Sequence, residues 1–185
     1  GLFTLLAETV IKQGGIVFGA KFDEDWNVVH AWADTMEGIT AFQGSKYVQS
    51  VIGTTFREAK TFLQQGRKVL FSGTPCQIAG LKRYLRKEYP QLLTVDIVCH
   101  GVPSPAVWQC YLNSLKDRME KITRVSMRDK TEGWNHYRME IHAGKRALYS
   151  GRAACNDYSR GYLANLFLRP SCHSCPARQG KSQSD

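Results

Sequence analysis

Two short apolar runs, each followed closely by a helix start, constrain this chain more than any other feature. KVLFS (68–72) and LLTVDIV (92–98) are apolar without strict alternation, the pattern of strands buried on both faces. Around them the sequence predicts helix–strand–helix–strand–helix over residues 55–121. Thr55 and Glu58 have the spacing of a capping box, and Gly66 ends that helix. Thr74, Pro75 and Gln77 form a second box, with proline at the first helical position, where a missing N–H does no harm. Ser104 and Pro105 start a third helix running to Lys121, with Val107, Trp108, Tyr111, Leu112, Leu115 and Met119 on its apolar face. Strands joined by a helical crossover lie parallel. The expected fold is therefore α/β, a mixed sheet with a parallel strand–helix core and helices packed on the sheet.

The flanks complete that expectation. Residues 2–13 predict a helix with Leu5, Leu6, Val10 and Ile11 on one face, stopped by Gly14–Gly15. IVFGAKF (16–22) and VVHAWA (28–33) predict a β-hairpin around the acidic turn at 23–25. AFQGSKYVQSVIG (41–53) is a loop with a short strand. TRVSMRD, YRMEIH and RALYS predict an antiparallel extension, turning at Ala143–Gly144–Lys145, and a last helix near 157–167 leads into RPSCHSC (169–175). With no internal repeat and no linker, residues 1–185 are expected to form one domain. The chain opens without methionine and closes on KSQSD, so that domain is expected to be a piece of a longer protein.

Composition narrows the function classes. The 185 residues are 43% hydrophobic and 22% charged, an ordinary globular balance. No apolar run approaches the roughly 20 residues needed to cross a bilayer, so no membrane partner is expected. The formal net charge of +9 is spread along the chain. Its densest cluster, Lys82, Arg83, Arg86 and Lys87, is a solvated helix face, or meets an anionic cofactor or an acidic partner. Nucleic acid is not an expected partner, because no recognition motif accompanies the charge. Six cysteines are too few for a small disulfide scaffold. Without an export signal they are reduced, catalytic or metal-bound, with the cytoplasm as the compartment.

Four of those cysteines sit where chemistry is expected. Cys76 lies at the second position of its helix, where free N–H groups and the helix dipole favour a thiolate. Gly73 before it allows a sharp turn and close approach. Cys99 and His100 follow the second strand, so Cys76 and Cys99 fall at the carboxyl edge of the sheet, where open α/β folds bind ligands. His100 is a candidate to donate a hydrogen bond to a cofactor or to move a proton. Cys172 and Cys175 form a C-x-x-C bracketed by Pro170 and Pro176. Four thiolates suit an iron–sulfur cluster or a structural zinc. Zinc prefers two close pairs and only one pair is close here, which favours a cluster and leaves zinc open. Cys110 and Cys155 are incidental.

Two polar loops offer groups for a nucleotide or flavin. GSKYVQS (44–50) carries a cation, an aromatic ring and hydroxyl and amide donors, and RDKTEGW (128–134) ends in a tryptophan. The Gly-rich dinucleotide and P-loop fingerprints are absent.

Taken together, GSKYVQS, VLFSGTPCQIAGL, DIVCHGVPSP, MRDKTEGW and RPSCHSC resemble the coenzyme F420 hydrogenase/dehydrogenase beta-subunit family, in order over nearly the whole chain. The resemblance implies a flavoprotein oxidoreductase carrying FAD and a [4Fe–4S] cluster. Such a protein passes electrons between the cluster and a small-molecule hydride acceptor or donor, the deazaflavin coenzyme F420 or a related compound. It assigns Cys76, Cys99, Cys172 and Cys175 to the cluster. It suggests flavin contacts from Ser45, Lys46, Tyr47, Gln49 and Ser50, from Gly73, Thr74 and Pro75, and from Lys130 and Trp134. It also implies a redox partner protein or a ferredoxin-like segment. Such a segment often precedes this region in family members and is missing from these residues, as is the acidic Gly-Asp stretch that usually follows the C-x-x-C. Two rivals stay open, a zinc-stabilised binding module without redox function and a basic interaction protein with reduced cysteines. The oligomeric state is not legible.

Overall fold

In the computed structural model, which describes residues 1–117 and 119–179, the two apolar runs lie side by side and parallel. They are β3 (Val69–Gly73) and β4 (Leu92–Asp96), in register from Val69↔Leu92 to Gly73↔Asp96. The predicted hairpin is β1 (Ile16–Phe22) with β2 (Val28–Ala33). Its first strand pairs parallel with β3, giving a mixed sheet in the order β2-β1-β3-β4. The α/β expectation holds.

Side-chain alternation explains why Ile16–Phe18 of β1 and Val69–Phe71 of β3 are apolar on every residue. Phe18, Phe71, Ile16 and Val69 face one side, where they meet α3 (Thr55–Gln64) and α4 (Pro75–Leu85) through Ala59, Leu63, Ile78 and Leu81. Val17 and Leu70 face the other side, under α1 (Leu2–Lys12) and the short α2 (Met36–Ile39), with Ala7, Val10 and Ile39. Each of the larger side chains among these, the alanines excepted, contributes about 1.5–3 kcal/mol by leaving water.

Downstream, β5 (Arg124–Asp129), β6 (Arg138–Ala143) and β7 (Arg146–Arg152) form their own antiparallel sheet rather than adding to β4. Its core holds Met127, Met139 and Ile141 against Trp108 and Leu112 of α5 (Pro105–Leu115) and Tyr158 of α6 (Asp157–Leu163). The two halves are tied by two indole bonds in series: Trp108 Nε1 donates to the Trp26 carbonyl at 2.8 Å and Trp26 Nε1 to that of Ile122 at 3.1 Å.

Several local expectations need correction. The strand at LLTVDIV stops at Asp96, and Ile97 and Val98 are 54% and 107% exposed. β4 is an edge strand, and the chain leaves the sheet there to carry Cys99. The first capping box does not form. Thr54 is the cap residue of α3, and Thr55 is its first helical residue, donating its hydroxyl to the Ile52 carbonyl at 2.7 Å. α5 ends at Leu115 instead of Lys121, because Asp117 and Glu120 make a turn of their own, which leaves Met119 95% exposed. α1 buries Ala7 and Val10, and Leu5 faces solvent. α6 ends at Leu163, stopped by Asn165 in the left-handed region (φ 62°), with Leu166 N–H returning to the Gly161 carbonyl.

Candidate functional site

The carboxyl edge of the parallel pair is where the site assembles. β3 ends at Gly73, and Thr74, Pro75 and Gln77 form the expected reciprocal capping box at the start of α4. The Gln77 side chain does two jobs. Its Oε1 accepts from the Thr74 N–H at 2.9 Å, and its Nε2 donates to Ser50 Oγ at 2.8 Å. A Cβ at position 73 would sit 3.0 Å from Gln77 Oε1 and 3.3 Å from Gln77 Cβ, so glycine permits this close approach. Cys76 emerges exposed at the second residue of the helix, with Thr74 Oγ1 3.1 Å from its sulfur.

The C-x-x-C reaches the same edge by long-range pairing. The Ser104 N–H donates to the Phe167 carbonyl and the Arg169 N–H to that of Val102, each at 2.9 Å, around a Pro103↔Leu168 bridge. Gly101 adopts φ +145°, and a Cβ there would lie 2.7 Å from Leu168 Cδ1. Beyond this seam Pro170–Cys172 makes a helical turn, and Cys175 N–H returns to the Cys172 carbonyl at 3.4 Å.

The four sulfurs thereby share one electrostatic neighbourhood. The Cys99 thiol is pushed up first by burial and then by Cys76, Cys172 and Cys175, against a hydrogen bond from the Gly101 N–H that pulls it down. Among the described residues, however, no group of three or more His, Cys, Asp or Glu side chains stands close enough to hold a metal ion. The sulfurs gather without closing. As a donor set they fit a cationic metal centre, because each thiolate makes ionising the next harder and a metal removes that cost.

The loop at 44–50 is stitched across both halves of the molecule. At one end Ser45 and Lys46 line a cavity of about 290 Å³ with Phe22, Ser126 and Met127. Lys46 Nζ donates to the Gln43 and Gly44 carbonyls at 2.9 and 3.2 Å, and burial pulls this amine down to about 8. Tyr47 stacks on Tyr162 at 5.4 Å, and its hydroxyl accepts from Arg128 at 3.2 Å. Gln49 N–H donates to the Pro103 carbonyl at 3.0 Å, and Ser50 is held by Gln77. The candidate flavin residues therefore fall into two groups joined by Tyr47 and Gln49. Ser50, Gly73, Thr74 and Pro75 surround the Cys76 turn, whereas Ser45 and Lys46 lie against the second sheet. Gly73, Thr74 and Pro75 are buried, Thr74 and Pro75 as helix cap and first helical residue.

His100 is exposed and packs edge-on against Tyr162 at 5.1 Å. Lys130 and Trp134 pair with each other, the ammonium 3.6 Å above the ring, on an exposed loop. Arg128 links that loop to the site, its guanidinium 5.7 Å from the Trp134 ring and 4.5 Å from that of Tyr137. Cys110 and Cys155 are exposed. The sequence reading missed Arg128, which opens the RDKTEGW loop, and Tyr162, which nothing local distinguishes. It also read Gln77 only as a helix cap.

No curated protein sequence matches the chain. A solved structure with the same fold is a chain of the xenon-derivatised F420-reducing [NiFe] hydrogenase complex from Methanosarcina barkeri, with TM-score 0.60 and 19% identity. The match covers 95% of this chain and 58% of that one, so this chain spans little more than half of its neighbour's length. The family model for the C terminus of the coenzyme F420 hydrogenase/dehydrogenase beta subunit matches residues 66–185, a stretch that includes Cys76, Cys99, Cys172 and Cys175, and the chain belongs to that family.

Proposed function

We propose that this chain is the flavin- and iron–sulfur-binding part of an oxidoreductase that moves electrons between a [4Fe–4S] cluster and a hydride-exchanging small molecule, coenzyme F420 or a related compound. One observation carries the proposal: Cys99, at the carboxyl edge of the parallel strands, lies in the field of Cys76, Cys172 and Cys175. Family membership supports the redox class. When bound, the flavin would exchange hydride with the substrate and single electrons with the cluster.

The residues take separate roles in this proposal. The four cysteines supply thiolates from a helix start, a strand end and a helical turn. Tyr47, backed by Tyr162, offers a ring face to a planar cofactor. Ser50 and Gln49 offer polar groups beside the sulfurs. Lys46 and Arg128 offer positive charge to a phosphate or an anionic ring, with Lys130 and Trp134 as an outer pair. His100, exposed beside Cys99, is the group proposed to move a proton. Electrons would enter from a partner protein or a ferredoxin-like segment, in a reducing compartment such as the cytoplasm. Among the described residues no helix is long and apolar enough to cross a membrane.

The test is anaerobic expression of the full-length protein and reconstitution with iron, sulfide and FAD. The expected product shows broad cluster absorbance, about four irons and a bound flavin spectrum. Stoichiometric zinc with no iron and no flavin would replace this proposal with the zinc-stabilised module.

A further inference from the structure

We infer that Thr74 tunes the electron affinity of the sulfur site by donating its hydroxyl hydrogen to Cys76. This rests on the function proposed above and moves Thr74 from the flavin to the cluster. Thr74 Oγ1 is 3.1 Å from Cys76 Sγ, within reach of a hydrogen bond to sulfur. The residue is 8% exposed, so water competes little for the hydroxyl.

The direction of the bond follows from the state of the sulfur. A hydroxyl has two lone pairs and one hydrogen, so Thr74 can donate or accept. The Gln77 N–H donates to the Thr74 backbone carbonyl at 2.9 Å, which leaves the hydroxyl hydrogen free to point at the sulfur. The Thr74 backbone is held in turn by Gln77 Oε1 at 2.9 Å, and Gln77 is held by Ser50. A free thiol at Cys76 has a hydrogen of its own. A metal-bound thiolate has none, so in the loaded protein the hydrogen bond runs only from Thr74 to the sulfur.

The energetic consequence has a definite sign. Reduction adds one electron to the cluster and raises the negative charge on its sulfurs. A donor aimed at a ligand sulfur stabilises the reduced form more than the oxidised one and raises the potential. A local helix cap therefore also acts as an electrostatic control on the first sulfur ligand. Thr74 acts through Cys76 and is a positioning and tuning residue rather than a catalytic one.

An electrochemical titration of the full-length protein, reconstituted anaerobically with iron, sulfide and FAD, tests this. Thr74→Val keeps the shape and loses the hydroxyl. Its cluster midpoint is expected to fall by up to ~59 mV, the one-electron equivalent of a tenfold change in the reduced-to-oxidised ratio. Thr74→Ser, which keeps the hydroxyl, is expected to stay near the wild type. Thr74→Gly supplies a second hydroxyl-free variant if the valine variant fails to fold, because glycine is tolerated at a helix cap. Unmoved midpoints in hydroxyl-free variants with wild-type iron content overturn the inference, as does an equal drop in Thr74→Ser. A wild type that binds no iron overturns the proposed function itself, and is recognised before any midpoint is measured.

Discussion

Cys76 and the Cys172–Cys175 pair arrive at one edge of the sheet by opposite routes. Cys76 is placed by residues within three positions of it, namely the Thr74–Gln77 capping box and Pro75 at the helix start. The pair is placed by a seam between 102–104 and 167–169, two segments far apart in the chain, whose backbones bond on either side of the Pro103↔Leu168 bridge. The first route is local and cheap in loop-closure entropy. The second orders a long loop to make a few hydrogen bonds. Damage to the cap should therefore be felt near Cys76, whereas damage to the seam should release half of the proposed sulfur ligands at once.

The largest effect is expected at the seam. Gly101 holds φ +145° with Leu168 Cδ1 only 2.7 Å from where a Cβ would stand. Gly101→Val adds backbone strain to a clash and should cost about 3 kcal/mol, measured by urea denaturation. Iron content after reconstitution should collapse with it. Trimming the partner in Gly101→Val/Leu168→Ala should recover the part of the loss due to the clash and leave the part due to strain. Wild-type stability in Gly101→Val would mean that the seam does not hold the pair. Cys172→Ser separates position from ligation. Iron binding should fall to near background, while the stability of the metal-free protein stays within about 0.5 kcal/mol of the parent. Equal iron in parent and variant would remove Cys172 from the ligand set.

The cap should give a smaller and more local change. Gln77→Ala removes the bonds to the Thr74 N–H and to Ser50 Oγ. The expected loss is about 2 kcal/mol, two ordinary hydrogen bonds at about 1 kcal/mol each. Cys172 and Cys175 should be alkylated at the parent's rate, because the seam is untouched. Faster alkylation of the pair in this variant would show that the two routes are mechanically coupled.

The same contrast explains what was legible in the sequence. The Cys76 turn could be read from Thr74, Pro75 and Gln77, because capping depends on spacings of one to three residues. The shift from Thr55 to Thr54 at α3 shows the limit of that logic, since only Thr55 has a glutamate three residues on and the fold still caps the helix with Thr54. Ile97 and Val98 continue the apolar run, yet they leave the sheet because β4 has a strand neighbour on only one side. Apolarity alone does not say which strand is the edge. Nothing in the sequence beside Cys99 and His100 marks Gly101 as special. Its need for a missing side chain appears only when Leu168 is beside it. Arg128 sits in a loop flagged for its lysine and tryptophan, and its bond to Tyr47 crosses between the two halves. Contacts set by tertiary pairing leave no periodic trace.

The smallest predicted effect concerns the end of the 44–50 loop that lies farthest from the cap, and it asks whether that end belongs to the site. Burial pulls Lys46 from an ordinary 10.5 down to about 8. Between those values the unfolded chain keeps the proton that the folded chain has released, so stability rises with pH across that window. Below pH 8 both states are charged and the full burial penalty is present. Lys46→Met should abolish this rise, seen as a flatter stability profile between pH 8 and 10 in parallel denaturation series. Parallel profiles for the two proteins would show that the amine is not held down. The window also reports on ligand binding. If the cavity beside Phe22 and Met127 receives the phosphate of FAD, the added negative charge pushes the amine back up. The rise should then shrink in FAD-loaded protein. A rise unchanged by FAD would leave Lys46 as a clasp on the Gln43 and Gly44 carbonyls and confine the flavin to the Tyr47–Ser50 end of the loop, next to the sulfurs.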